Sequence, residues 1–359
     1  MRNKIIKLTS DLMNFSSVEN DLKAKKNIIN FVERQFKNEN VFIRKFAYNN
    51  TFSIIINLKK EKNPFLFLNG HLDVVSANKE DFKAKIKGKK IYGRGSGDMK
   101  AGCAVMIEVM KHFAKQKRSP SVGLMLTTDE ELGGANGVGY LLNRKKYRSK
   151  LAIIPDGGVN LETIVLNQKG VLHIKVETYG KSSHGSMPFL GKNAIDDLIN
   201  KYARFRKVIP EIKKGEWKNT LNLGKISGGE AVNKVPDYAE MFLDIRFIKQ
   251  KDKEKILNKI KKIFGKVRII TEGHSFIQNK NHQLIKLYAN IAADELGKRI
   301  DFIKKEGASD ARYFAEKNIP TIITKIKCGN IHGKDEWVDI TEMEKFYNIL
   351  IKFISLISK

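Results

Sequence analysis

The stretch PFLFLNGHLDVV, Pro64 to Val75, is a short apolar run that stops at a histidine and an aspartate two residues apart. In an extended chain, residues two apart point to the same side, so His71 and Asp73 can touch the same small object or each other. A carboxylate that holds an imidazole orients it either for metal binding or for proton transfer. The apolar run reads as a strand, and comparable runs recur in TFSIIINL, VGLMLTTDE and LAIIPDGG, with the helical AGCAVMIEVMKHFAKQ among them. Short apolar strands separated by helices predict an α/β domain with a mainly parallel sheet, whose sites collect beyond the carboxyl ends of its strands. The helix from about Ala101 to Phe113 carries Val105, Met106, Val109, Met110 and Phe113 at 3.6-residue spacing, a core-packing pattern. Cys103, at its start, reads as small core filling.

Between about Gly170 and His274 the pattern changes. Strand VLHIKVETYG, helix NAIDDLINKYARFRKV, strands TLNLGKISGG and AEMFLDIRFI, helix KEKILNKIKKIFG and strand KVRIITEG follow one another. That order, βαββαβ, predicts a small ferredoxin-like unit inserted into the larger domain. Residues 1–169 and 276–359 then build one domain and residues 170–275 the other, in keeping with 359 residues of which 42% are hydrophobic.

The formal net charge is +28, but the lysines are spread along the whole chain, without zinc-finger spacing, an RNP signature or a basic region feeding heptads. No nucleic-acid partner is expected; the milder consequence is steering of anionic small substrates. No apolar run approaches a membrane span, and MRNKIIKLTSDLMNF lacks the pattern of a secretory leader. Cys103 and Cys328 form no CxxC pair, so reduced thiols and a cytoplasmic location are expected, with no membrane partner.

Four further stretches bear on the histidine and aspartate of the opening run. GRGSGDMKAG sets Asp98 in a glycine-rich turn before a helix, TTDEELGG ends a strand with Asp129, Glu130 and Glu131, IIPDGG ends another with Asp156, and GNIHGKDEW puts His332 in a loop. Two histidines and several carboxylates at strand ends match the ligand set of Zn²⁺ in hydrolytic sites. Adjacent Glu130 and Glu131 are tolerable in one apolar place only if a cation neutralises one while the other handles a proton. A dinucleotide loop is not indicated, because the acid after GRGSG would repel phosphate.

GHLDVV, GRGSGDMKAG, TTDEELGG, GKSSHGSMP, VNKVPDYAEMFLDIRF, GASDARYF and IHGKDEWV, in that order, resemble the co-catalytic zinc hydrolases that include acetylornithine deacetylase, succinyl-diaminopimelate desuccinylase, aminoacylase and glutamate carboxypeptidase. The resemblance runs from near residue 65 almost to the end. It implies two Zn²⁺ per subunit, for which Co²⁺ or Mn²⁺ can substitute. His71 and Asp156 would hold one ion and Glu131 and His332 the other, with Asp98 bridging and Asp73 orienting His71. Glu130 would be the general base, and His184 of the inserted domain would steady the oxyanion across a homodimer joined through that domain. Asn233, Arg246, Ser309 and Arg312 would contact substrate, an N-acyl amino acid or a short peptide. One departure stands out: Asp156 occupies a place usually held by glutamate in the deacylases and more often by aspartate in aminopeptidases and dipeptidases. GASDARYF and the single small lid pull toward the deacylases, and more residues favour that branch. A non-catalytic binding protein of the same fold is the rival reading.

Overall fold

The computed structural model describes residues 1–358, and the chain divides into two units: Met1–Asn167 with Ile277–Lys359, and Gln168–Phe276. The first unit begins with helices α1 (Arg2–Met13) and α2 (Leu22–Arg34) and the hairpin β1 (Phe42–Tyr48) and β2 (Thr51–Asn57). Strand β3 (Leu66–His71), the short pair β4 (Lys85–Lys87) and β5 (Lys90–Tyr92), helix α3 (Ala101–Ala114) and β6 (Val122–Thr127) follow. Then come α4 (Val138–Asn143), β7 (Leu151–Ile154) and β8 (Thr163–Gln168). After the second unit the chain returns with β13 (Phe276–Ile277), α7 (Gln283–Leu296), β14 (Asp301–Lys305), α8 (Ala311–Ala315), β15 (Thr321–Ile323), β16 (Cys328–Gly329), β17 (Trp337–Asp339) and α9 (Ile340–Ile357).

The main sheet runs β1-β2-β6-β3-β7-β15-β8-β13, with β14 on β8. Its centre is parallel (β6 with β3, β3 with β7, β7 with β15), whereas β1–β2, β2–β6 and β15–β8 are antiparallel. Every residue of β3, β6, β7 and β15 is buried, the condition of strands covered on both faces. Helix α3 is apolar nearly all round because it packs between the sheet, α1 and α9; only Lys111 and His112 escape burial. Cys103 is fully buried there, and its thiol donates to the carbonyl of His71 at 3.1 Å. Because the four central strands point the same way, the segments that leave β3, β6, β7 and β15 all emerge at one edge. A second sheet, β16-β17-β5-β4, carries the segments that hold Asp98 and His332.

The second unit contains β9 (Gly170–Tyr179), α5 (Ala194–Arg206), β10 (Thr220–Gly228), β11 (Tyr238–Phe247), α6 (Gln250–Phe264) and β12 (Val267–Gly273). Its sheet order is β10-β11-β9-β12, antiparallel throughout, the arrangement of a ferredoxin-like unit. Alternate residues of β9 and β11 turn inward, so Leu172, Ile174, Val176, Met241, Leu243 and Ile245 meet Leu198, Phe205, Ile256 and Ile260 of the helices in a separate core. Asn193 caps α5 by accepting from the Ile195 and Asp196 N–H groups.

Candidate active site

The carboxyl ends of the parallel strands carry the acids and the imidazole. His71 closes β3 and is buried; its Nδ1 lies 3.0 Å from the Asp73 carbonyl oxygen and 3.5 Å from Asp73 Oδ1. That contact makes Nδ1 the protonated nitrogen and turns the lone pair of Nε2 inward. Nε2 makes no hydrogen bond among the described residues and stands 3.5 Å from Asp98 Oδ1. Asp73 Oδ2 accepts from the Glu131 N–H at 3.0 Å, so this carboxylate steadies both the histidine and the turn that follows β6. The two oxygens of Asp98 face opposite ways, Oδ1 toward His71 and Oδ2 toward His332 Nε2 at 3.3 Å. His332 Nε2 also lies 3.2 Å from Glu131 Oε1.

Two clusters result. Donor atoms of His71, Glu130 and Asp156 lie within 4.8 Å of one another, and so do those of Asp98, Glu131 and His332. Imidazole and carboxylate donors at this spacing, one of them a buried nitrogen without a hydrogen bond, fit a hard-to-borderline divalent cation. The electrostatics agree, because the pocket is negative. Burial opposes charge on His71, yet Asp73 and Asp98 hold its pKa well above the ordinary value. Hydrogen bonding to Asp98 and then Glu131 pushes His332 up to about 10. Burial raises the Glu130 carboxyl well above its usual range; His71 opposes that, while Asp156, Asp310 and Asp73 add to it. Asp98 is held well below the carboxylate range in spite of its burial, by Lys325 first and then by the two histidines.

Three residues that shape this site have no role in the sequence reading. Glu336 is buried and accepts from Arg94 Nη1 at 2.6 Å and from the N–H groups of Gly95, Gly97 and Asp98 at 3.1, 2.8 and 3.0 Å. A carboxylate in such a nest of N–H donors fixes the turn that aims Asp98. Arg94 Nη2 also donates to the carbonyls of His332 and Gly333 at 3.0 and 3.2 Å, tying the His332 loop to the Asp98 turn. His332 itself has φ +63°, left-handed backbone that a β-carbon disfavours. Lys325, buried, donates to Asp156 Oδ1 at 2.9 Å and to Asp98 Oδ1 at 3.1 Å. Glu336 lies in the quoted IHGKDEWV and Lys325 just before it, but only spatial neighbours give either a role.

The remaining site candidates divide between the units. In the first, Ser309 and Arg312 are buried at the entry to α8, with the Arg312 N–H on the Ser309 carbonyl at 3.2 Å. The Arg312 guanidinium hydrogen-bonds the Gly133 carbonyl, which also accepts from Tyr313 at 2.5 Å, so it braces the turn carrying Glu130 and Glu131; its Nε makes no hydrogen bond among the described residues. In the second unit His184 is exposed and Nδ1 accepts the Ser186 N–H at 3.2 Å, which leaves Nε2 as the donor nitrogen. Gly185 N–H donates to the Asn233 carbonyl at 2.7 Å, so the segments carrying His184 and Asn233 run side by side. Arg246 is engaged on β11 by Asp244, with Nε and Nη2 at 2.8 and 3.1 Å from its two oxygens.

Comparison with known proteins agrees with this architecture. The probable succinyl-diaminopimelate desuccinylase of Staphylococcus aureus (strain MRSA252) is 28% identical over 334 residues, covering 80% of this chain and 82% of its own. The succinyl-diaminopimelate desuccinylase of Rickettsia bellii is 26% identical over 352 residues, 90% of this chain and 88% of its own. Among solved structures, the aminopeptidase PepT of Bacillus cereus superposes with a TM-score of 0.84 at 19% identity, over 100% of this chain and 99% of that one, a likeness of fold. Residues 67–356 match the model of peptidase family M20/M25/M40, and the chain belongs to that family.

Proposed function

We propose that this chain is a metal-dependent amidohydrolase that releases an amine from an N-acyl amino acid, holding two zinc ions for which cobalt or manganese can substitute. The observation that carries the reading is His71 Nε2, buried and without a hydrogen bond, facing carboxylates grouped on either side of Asp98. His71 and Asp156 would serve one ion, Glu131 and His332 the other, and Asp98 both. Such ions supply carbonyl polarisation and a more acidic water. Glu130, whose carboxyl burial raises above its usual range, would act as the general base that accepts a proton from water and passes it to the leaving amine. Asp73 keeps the Nδ1–H tautomer of His71. His184, with its proton on Nε2, is suited to donate to the developing oxyanion. Asn233, Arg246, Ser309 and Arg312 are assigned to substrate; the unpartnered Nε of Arg312 supports a carboxylate there.

Residues 1–169 with 276–359 are assigned the catalytic role and 170–275 the lid and dimer contact. In support of a homodimer, β10 is an edge strand with most residues exposed, and Ile226 and Val232 nearby are exposed apolar side chains. The two free cysteines suit a cytoplasmic enzyme, and among the described residues no helix is long and apolar enough to cross a membrane. The second substrate reading, a short peptide with a free amino terminus, is favoured by the short side chain of Asp156. The zinc-loaded full chain, assayed on N-acetyl and N-succinyl amino acids and on free-amine dipeptides, separates the two. Hydrolysis of the acylated set first is expected, and turnover of no substrate by metal-loaded protein would remove the enzyme reading.

A further inference from the structure

A lysine reaches the two donor clusters unequally: Lys325 bonds Asp156 of the first, but in the second only the Asp98 oxygen that faces His71. Strands β7 and β15 pair in parallel with Ile154 opposite Ile323. Asp156 and Lys325 each lie two residues beyond that pair, so the ladder itself brings them to the same side and the same level. Thr324 N–H on the Ile154 carbonyl at 3.2 Å continues the register past the strand end. The result is an ammonium 2.9 Å from Asp156 Oδ1 and 3.1 Å from Asp98 Oδ1, on a side chain only 5% exposed. Asp98 Oδ1 is also the oxygen that faces His71 Nε2. On the other side Asp98 Oδ2, Glu131 Oε1 and His332 Nε2 meet, and among the described residues no lysine or arginine pairs with these three atoms.

Resting on the metal-dependent reading above, we propose that Lys325 is a resident cation of the His71–Asp156 site. The chain then holds one divalent ion tightly at Asp98, Glu131 and His332, and admits a second only by displacing the lysine. A zinc ion would need the same two carboxylates at about 2.0–2.2 Å, beside an ammonium already hydrogen-bonded to them in a buried pocket. Two cations sharing those oxygens away from water repel strongly, and the lysine, covalently attached, is present at every metal concentration. The two sites are therefore unequal by construction, and full occupancy depends on the free concentration of metal.

The test counts ions on the full chain by elemental analysis after equilibrium dialysis against a buffered series of free Zn²⁺. The wild type should load in two steps, the second at a free zinc concentration higher by at least about tenfold, the scale on which neighbours of a metal ligand act. Lys325→Met, similar in length and uncharged, should draw the second step toward the first, and Lys325→Arg should keep the steps apart. A single two-ion step in the wild type overturns the inference, and so does a folded Lys325→Met with unchanged separation. If circular dichroism shows Lys325→Met to be unfolded, Lys325→Gln takes its place under the same criteria. Absence of bound metal from every protein would instead remove the metal-dependent reading, and this inference with it.

Discussion

Glu130 and Glu131 are neighbours in the chain with opposite tasks in the proposed reaction, and single substitutions separate them. Glu130→Gln preserves shape but cannot accept a proton, so turnover should fall by about 10²–10⁴-fold while bound metal stays at the wild-type level. Glu131→Gln should lose metal together with activity; near-normal kcat in Glu130→Gln would reassign the base. Asp310 offers a second test at this scale. Burial, reinforced by Asp129, pushes its carboxyl up to about 8, against about 3.9 in an unfolded chain. An acid raised in the folded state binds its proton more tightly there, so its stabilising effect is complete below the unfolded value and is lost as pH rises through the folded one. The wild type should therefore lose stability relative to Asp310→Asn between about pH 4 and about pH 8, read as urea midpoints at each pH. Parallel pH profiles for the two proteins would count against a buried, protonated Asp310.

The Asp98 turn is held from outside itself, by a carboxylate far away in sequence. Removing one partner of the buried Arg94–Glu336 pair leaves a charge uncompensated and strands three N–H donors, so Glu336→Ala should cost about 3–5 kcal/mol in thermal or urea unfolding. Metal content should fall with it, because Asp98 and the His332 loop lose their common anchor. This latch also marks the limit of what sequence conveys. His71, Asp98, Glu131 and Asp156 stand out as candidates because each ends an apolar run or sits in a glycine-rich turn, and His332 because it follows one in a loop; their roles come from the resemblance, and the structure groups their donor atoms. Lys325 reads as one more lysine in a chain with 67 lysines and arginines, and only the β7–β15 register gives it a partner. The small sheet of β4, β5, β16 and β17 was missed for a related reason: strands of two or three residues are too short to display a period. Arg246 and Arg312 stand out in the sequence only through the family resemblance, and the structure adds the partners, Asp244 and Gly133, that engage their guanidinium groups.

At the scale of the whole molecule, the βαββαβ order and the inserted position of the second unit were readable because each strand and helix is long and periodic. That unit buries its own cluster around Ile174, Phe205, Met241 and Ile260. Residues 168–276 expressed alone should therefore unfold cooperatively in urea, with a slope of about 1 kcal/mol/M or more; a gradual, featureless loss of signal would mean that its core is not sufficient. A shared site across a homodimer predicts complementation: inactive His184→Ala and Glu130→Gln subunits, mixed under verified exchange, should regain activity. No recovery would confine His184 to its own chain or remove it from the reaction.

Strand β15, which joins the centre of the main sheet, and the latch residue Glu336 both belong to the last stretch of the chain. During synthesis, His71, Asp98, Glu131 and Asp156 leave the ribosome first and must wait while the whole inserted unit is made. Until residues 321–336 emerge, Asp156 lacks the neighbouring strand that supplies Lys325, and the Asp98 turn lacks the carboxylate that shapes it. In the proposed metal site, capture would thus be a late event in the life of the polypeptide, and a chain truncated before Glu336 would carry most of the candidate ligands without the means to arrange them.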